Sequence, residues 1–340
     1  MSINPKSKEL SVGIVGAGDI VSKVHLPVLL NTKEISIEWI TDINTLKAKS
    51  IANAYKIPFL KQEENINNLP YADIILIAIP YGAREPYYKI LREHASALYV
   101  EKPFSRTVKE HKEICSWFSD YALCCGYQRR VWSPTQLTKK IIRDGLLGPL
   151  QSVHFELGNP GYSMSGKHYS DINLAGGGIL FEVGVHGLDT LLYSTDAQSI
   201  EIKSAKMLME GGFDIHTEAD FIIKIKNNEK INCKIKISQL EQTTNKLEFV
   251  FNYATLSYSL ISFDTDIRIE SNKSSKNNLS LIVDSLNQTY PLTPYQTFSE
   301  YWNQFVVGIK TRQTNLTCAA ESILTTEIIE ELYATEKKLK

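Results

Sequence analysis

Short apolar runs separated by segments of helical spacing fill the first third of the chain. Residues 10–16 are such a run; it ends in Gly16-Ala17-Gly18 and passes into helix-like spacing up to about Leu30. A second run, 35–41, ends at Asp42, and residues 45–55 have helical spacing. Residues 72–79 are almost continuously apolar, as in a strand buried on both faces. Residues 85–94 and 108–120 read as helices around one more strand, 97–100. Strands alternating with helices in this way predict a doubly wound parallel sheet.

The rhythm changes after Gly126. Residues 136–144 have helical spacing and 151–157 alternate as a strand, and from Ile200 strands follow one another without intervening helices. Residues 221–225 and 231–237 alternate apolar with polar around Lys226-Asn227-Asn228-Glu229-Lys230, a hairpin pattern. Residues 247–253, 255–261 and 267–270 continue as strands, 271–278 read as a polar mobile loop, and helices over 297–310 and 319–337 close the chain. The expected fold is α/β. A Rossmann doubly wound parallel sheet over residues 1–126 precedes an α+β domain over 127–340 with a large, mostly antiparallel open sheet. The last helices are expected to pack back on the first domain.

Composition narrows the function. With 37 Lys+Arg against 38 Asp+Glu there is no basic excess for nucleic acid or anionic lipid. An apolar fraction of 43% and a charged fraction of 22% suit a soluble globular protein. The first ten residues are polar and lysine-bearing, unlike a signal peptide, and no apolar run is long enough for a bilayer, so a cytoplasmic protein is expected. The five cysteines (115, 124, 125, 233 and 318) have no zinc-like spacing; they read as buried free thiols, and no metal is expected. The Asn-x-Ser/Thr matches at Asn272, Asn278, Asn287 and Asn315 read as chance without a secretory signal.

Two motifs carry chemistry. In the first, Gly16 permits a tight turn and Gly18 lets backbone approach a pyrophosphate at a helix N-terminus, with Asp19 and Ile20 opening that helix. Val21 stands where the fingerprint has its third glycine, so strand and helix should pack slightly wider there. Asp42, ending the second strand, suits the adenosine ribose hydroxyls and repels a 2′-phosphate, favouring NAD over NADP; a plain turn residue is the other reading. The second motif is Glu101-Lys102-Pro103, directly after the strand 97–100. Proline cannot donate to a sheet ladder and biases its predecessor towards extended geometry, so the strand stops with Lys102 at its tip. An exposed Glu-Lys pair on a loop is the bland alternative.

Together with Gly176-Gly177-Gly178…His186 and Gly126-Tyr127-Gln128-Arg129-Arg130, these motifs resemble the Gfo/Idh/MocA family over essentially the whole chain. That family comprises relatives of glucose-fructose oxidoreductase, inositol dehydrogenase and rhizopine-catabolism proteins. The resemblance implies an NAD(P)-dependent dehydrogenase or reductase acting on a sugar, cyclitol or related alcohol or ketone. It places Lys102 and His186 at the reacting oxygen, a lysine to hold developing charge and a histidine to move the hydroxyl proton. If the segment is helical, Glu182, His186 and Asp189 share a face. Glu182 stands where the family usually has aspartate, and it is taken with Lys102 and His186 as catalytic. The expected cofactor residues are Gly16, Gly18, Asp19, Ile20, Asp42, Pro80, Glu101, Lys102 and Gln128. The expected substrate residues are Lys102, Arg129, His168, Tyr169, Glu182 and His186, with Lys167 beside them. Tyr81 and Arg84 replace the family's asparagine and histidine, and Arg84 suits either a cofactor contact or a solvated position. His25, in His25-Leu26-Pro27, is expected to pack the first helix.

Other classes stay open: a glycosidase using tightly held NAD for transient oxidation, or a non-catalytic NAD-sensing regulator on the same fold. The sheet of the second domain, with Phe221, Ile223 and Ile225 or their alternates outward, is expected to join a homodimer or homotetramer. A monomer with an outer face lined by lysines is the alternative.

Overall fold

The computed structural model describes residues 9–61, 66–161, 170–261, 267–271 and 293–338. Lys167, His168, Tyr169 and the polar stretch 272–278 lie outside the described residues. The chain divides into two compact units. The first comprises Met1–Phe104, Lys112–Gly126 and Phe298–Glu321; the second comprises Ser105–His111, Tyr127–Thr297 and Ser322–Lys340.

The first unit is built on β1 (Leu10–Val15), β2 (Ile35–Thr41), β3 (Ala72–Ile77), β4 (Ala95–Val100) and β5 (Leu123–Cys125), all parallel, in the order β2-β1-β3-β4-β5. Outside β2 a single parallel bridge joins Ile40 to Phe59. Counting Phe59 as the third strand in chain order gives the 3-2-1-4-5-6 arrangement of dinucleotide-binding sheets. The core strands are apolar on both faces: Ile74, Ile75, Leu76 and Ile77 are all wholly buried. The Pro294–Thr311 helix buries Tyr301, Trp302, Phe305 and Val306, and Trp302 stacks on Tyr99 of β4 with ring centroids 4.5 Å apart.

The second unit holds a seven-stranded sheet in the order β12-β11-β10-β6-β9-β8-β7. Its strands are β6 (Leu150–Gly158), β7 (Ser199–Glu210), β8 (Phe213–Lys224), β9 (Lys230–Ser238), β10 (Lys246–Phe251), β11 (Ala254–Ser259) and β12 (Arg268–Ser271). Only β6 and β9 pair in parallel. The expected hairpin joins β8 to β9 through a short turn at Lys226–Asn228. Register settles which face is apolar. Phe221, Ile223, Ile231, Cys233 and Ile235 are buried on one face, which the Val185–Ser194 helix covers so closely that a Cβ on Gly187 would sit 2.2 Å from the Phe155 ring. Phe221, Ile223 and Ile225 therefore lie on the covered face, and the outward positions of β8 fall to their alternates, Ile222 and Lys224. The opposite face carries charge, with Lys236 3.5 Å from Glu218 and Lys234 3.8 Å from Asp220. Among the described residues no helix is long and apolar enough to cross a membrane.

Candidate active site

In the first unit, eight of the expected residues gather along the carboxyl edge of the parallel sheet: Gly16, Gly18, Asp19, Ile20, Asp42, Pro80, Glu101 and Lys102. Gly16 has φ +112°, and a Cβ there would lie 2.4 Å from the Ala78 carbonyl oxygen, so both turn and crowding demand glycine. A Cβ on Gly18 would meet nothing within 4 Å. Protein packing gives no reason for glycine at 18; the open space beside a helix start suits an approaching pyrophosphate. Val21 is wholly buried and begins a π-helical turn, Val21–His25, ahead of the Leu26–Leu30 helix.

Asp42 does two things at once. Its carboxylate accepts hydrogen bonds from the Ala17 amide at 2.6 Å and the Asn44 amide at 2.7 Å, tying the end of β2 to the glycine turn. It is only partly buried, so lone pairs remain on the solvent side for a ribose. Asp19 is exposed and pairs with Lys23 at 2.7 Å and Lys47 at 3.4 Å, which hold its carboxyl below the usual range, Lys23 most strongly.

The Glu101-Lys102-Pro103 segment, with a cis Lys102–Pro103 bond, is gripped from two sides. Arg84, 3% exposed, is not solvated. Its Nε donates to the Ile79 carbonyl at 2.9 Å, and its Nη1 donates to the carbonyls of Glu101 at 2.7 Å and Pro103 at 2.5 Å. A longer contact at 3.4 Å runs from Nη2 to the Lys102 carbonyl. On the other side, Trp302 Nε1–H donates to His25 Nδ1 at 3.0 Å. Indole nitrogen can only donate, so Nδ1 accepts and Nε2 bears the hydrogen. His25 Nε2–H then donates to Glu101 Oε1 at 2.9 Å, and Glu101 Oε2 accepts from the Lys102 amide at 3.2 Å. His25 does more than pack its helix: it orients the glutamate beside Lys102.

In the second unit, the glycine run opens the helical segment bearing Glu182 and His186. Asp214, wholly buried, accepts hydrogen bonds from the Gly178 and Leu180 amides, each at 2.6 Å, and from the Tyr333 hydroxyl. Burial raises its pKa, against the pull of these donors. A Cβ at Gly178 would fall 2.0 Å from the Asp214 carbonyl oxygen, so this close approach requires glycine. The segment starts as a π-helical turn, Leu180–Gly184, and continues as Val185–Ser194. Single π turns recur at functional sites. Glu182 lies in the π turn and His186 in the first α turn, both partly exposed. Asp189 does not join them as a site residue. It is buried in a bidentate pair with Arg130 at 2.6 and 2.9 Å and accepts from Thr325 at 3.1 Å. Gln128 and Arg129 sit in the turn Gln128–Val131, and Gln128 Oε1 is buried without a hydrogen-bond partner among the described residues. His168 and Tyr169 fall outside the described residues.

Two family models match the chain: "Oxidoreductase family, NAD-binding Rossmann fold" over residues 10–127 and "GFO/IDH/MocA C-terminal domain" over 135–257. The chain belongs to the Gfo/Idh/MocA family. It is 23% identical over 194 residues to D-glucoside 3-dehydrogenase of Escherichia coli, covering 55% of this chain and 54% of that one. The chain spans about half the length of the curated relatives it matches. The WlbA dehydrogenase from Bordetella pertussis, solved with NADH and UDP-GlcNAcA, superposes with a TM-score of 0.80 at 14% identity, over 98% of this chain and 97% of that one. KijD10, a 3-ketoreductase from Actinomadura kijaniata solved with NADP and TDP-benzene, gives 0.78 at 13% identity, over 96% and 98%. At these identities the structural likeness establishes the fold.

Within this Gfo/Idh/MocA chain, sequence reasoning missed Asp214 and Trp302 and gave Tyr333, part of the family resemblance in the last helix, no role. One signal was present for Asp214: a carboxylate at an inward position at the start of an alternating strand, where burial demands donors. Trp302 offered none, because its partner His25 lies 277 residues away.

Proposed function

We propose that this chain is an NAD-linked oxidoreductase that moves a hydride between nicotinamide and a secondary alcohol or ketone of a sugar derivative. The observation carrying this reading is the lysine at the tip of β4, backed by Arg84 and Glu101, in a chain of this family. The open cradle at Gly18, the turn at Gly16 and the Asp42 carboxylate fit a dinucleotide, with Asp19, Ile20, Pro80 and Gln128 completing its contacts. Bound NAD would supply the hydride acceptor. Lys102 would hold its ammonium group on the substrate oxygen, stabilising developing negative charge in oxidation and polarising the carbonyl in reduction. His186 would take the hydroxyl proton or return it, and Glu182 would orient the histidine or bind a neighbouring hydroxyl. Arg129 would contact the substrate.

The test is Lys102→Ala and His186→Ala, assayed on a panel of sugars, glycosides and cyclitols at the nicotinamide absorbance. Each should lose at least a hundredfold in turnover while NADH binding changes little. Near-normal turnover in both variants would falsify the assignment. We also propose a homo-oligomer joined through the second unit's sheet. Given the charged outer face, that interface would be polar and salt-sensitive. Light scattering at micromolar concentration giving a mass near 38.4 kDa would overturn it.

A further inference from the structure

The second unit contains a cavity of about 320 Å³, within the size range of small-molecule sites. Six of its eleven lining residues carry apolar side chains: Phe155, Leu157, Ile179, Val183, Leu260 and Ile261. The first three and Leu260 are buried, while Ile261 is 60% exposed. Of its polar lining, Asn245 is engaged with the protein itself, accepting from the Gly158 amide at 2.8 Å and donating to the Thr243 carbonyl at 3.3 Å. Arg129, whose guanidinium lies 5.7 Å from the Trp132 ring centroid, and Asn159 complete the polar lining, and among the described residues no carboxylate lines the cavity.

Position ties this space to the reaction proposed above. Val183 and Gly187 line the cavity, and each directly follows a residue assigned to the chemistry, Glu182 and His186. A sugar ring carries hydroxyls around its edge, and hydroxyls held against those six side chains would lose water without gaining partners. An apolar group there loses nothing and gains burial. We propose that the cavity receives an aryl or alkyl substituent of the substrate, so that the enzyme prefers glycosides bearing an apolar aglycone to free sugars. This rests on the sugar oxidoreductase reading and refines its substrate class.

The experiment measures binding, not turnover. Methyl and phenyl β-D-glucosides are titrated calorimetrically into the full chain saturated with NADH, a complex that cannot oxidise an alcohol. Burying about 60–100 Å² of aryl surface corresponds to roughly 10- to 70-fold tighter binding of the phenyl glucoside. Val183→Asp puts a charge in the wall and should bring the phenyl-to-methyl ratio to within about threefold of unity. Equal affinities in the wild type, binding of neither glucoside, or an unchanged ratio in Val183→Asp would each overturn the proposal. A binding preference that persists while no panel member is turned over with NAD would instead overturn the catalytic reading and leave only the cavity's preference for an apolar aglycone.

Discussion

Replacing Arg84 with methionine keeps most of the side chain's apolar stem and deletes every donor. The guanidinium holds the carbonyls of Ile79, Glu101 and Pro103 at 2.5–2.9 Å, bracketing the segment that presents Lys102. A hydrogen bond to a charged group contributes about 1.5–3 kcal/mol, and a buried carbonyl left without a donor costs about 1–3 kcal/mol. Set against these is the desolvation of a buried guanidinium, several kcal/mol, which the variant is spared. The net expectation is a loss of about 2–4 kcal/mol in unfolding free energy, read by urea titration. Catalysis should suffer beyond stability. With the carbonyls released, a shift of about 1 Å at Lys102 would lower turnover roughly a hundredfold. Arg84→Lys, which can reach one or two of the same carbonyls, should fall between. Because Arg84 acts on the lysine's placement, kcat should fall while NADH affinity moves less than about threefold. An Arg84→Met protein within 0.5 kcal/mol of wild type and within twofold in kcat would refute the positioning role.

Trp302→Phe keeps the stack on Tyr99 but removes the donor to His25, at an expected cost of about 2 kcal/mol; nitrogen NMR of the imidazole should show Nε2 still protonated against the Glu101 carboxylate, which only accepts, and the bare Nδ1 signal shifted by the loss of its donor, whereas an Nδ1–H tautomer in the wild type would contradict the derived hydrogen-bond direction. Asp42→Asn keeps an acceptor for the Ala17 amide while removing the charge, so fluorescence titration should show the NADH-over-NADPH preference shrinking about tenfold; tighter NADPH binding in the wild type would sink the ribose reading. Burial pushes the Cys115 thiol up to about 12, so at pH 8 it should react with iodoacetamide about a thousandfold more slowly than a free thiol, gaining tenfold per pH unit; rapid labelling of folded protein would be the contrary result.

Four of the five parallel strands were legible because each is a compact apolar run closed by glycine, proline or a charged residue; β5, Leu123–Cys125, three residues long, was not predicted. β2, Ile35–Thr41, falls on its predicted bounds, and so does the Thr45–Tyr55 helix. The antiparallel sheet was legible in its alternation but not in which face would be covered. That depends on the Val185–Ser194 helix crossing β6 at Gly187, a contact between segments with no mark in either sequence. The π turns at Val21–His25 and Leu180–Gly184 were invisible for a related reason: one extra residue per turn changes which side chains align, yet no residue type announces it. The face shared by Glu182, His186 and Asp189 assumed α spacing throughout, and in the structure Asp189 belongs to Arg130.

The residues proposed to touch ligands and the residues that hold them differ in how far their signals travel. Lys102 and the glycine turn are readable because a local backbone event, a strand ending or a turn with positive φ, fixes them wherever the rest of the chain goes. Arg84, His25 and Trp302 act through the fold. An arginine after a strand looks like a solvated loop residue until the chain following β4 brings carbonyls around it. A histidine before Leu-Pro looks like helix packing until a tryptophan from the Pro294–Thr311 helix fixes its tautomer. Substitutions at the locally marked positions should therefore abolish chemistry in an otherwise stable protein. Those at the distributed positions should lower stability and turnover together, because the bonds that place the lysine also hold β4 to its neighbours.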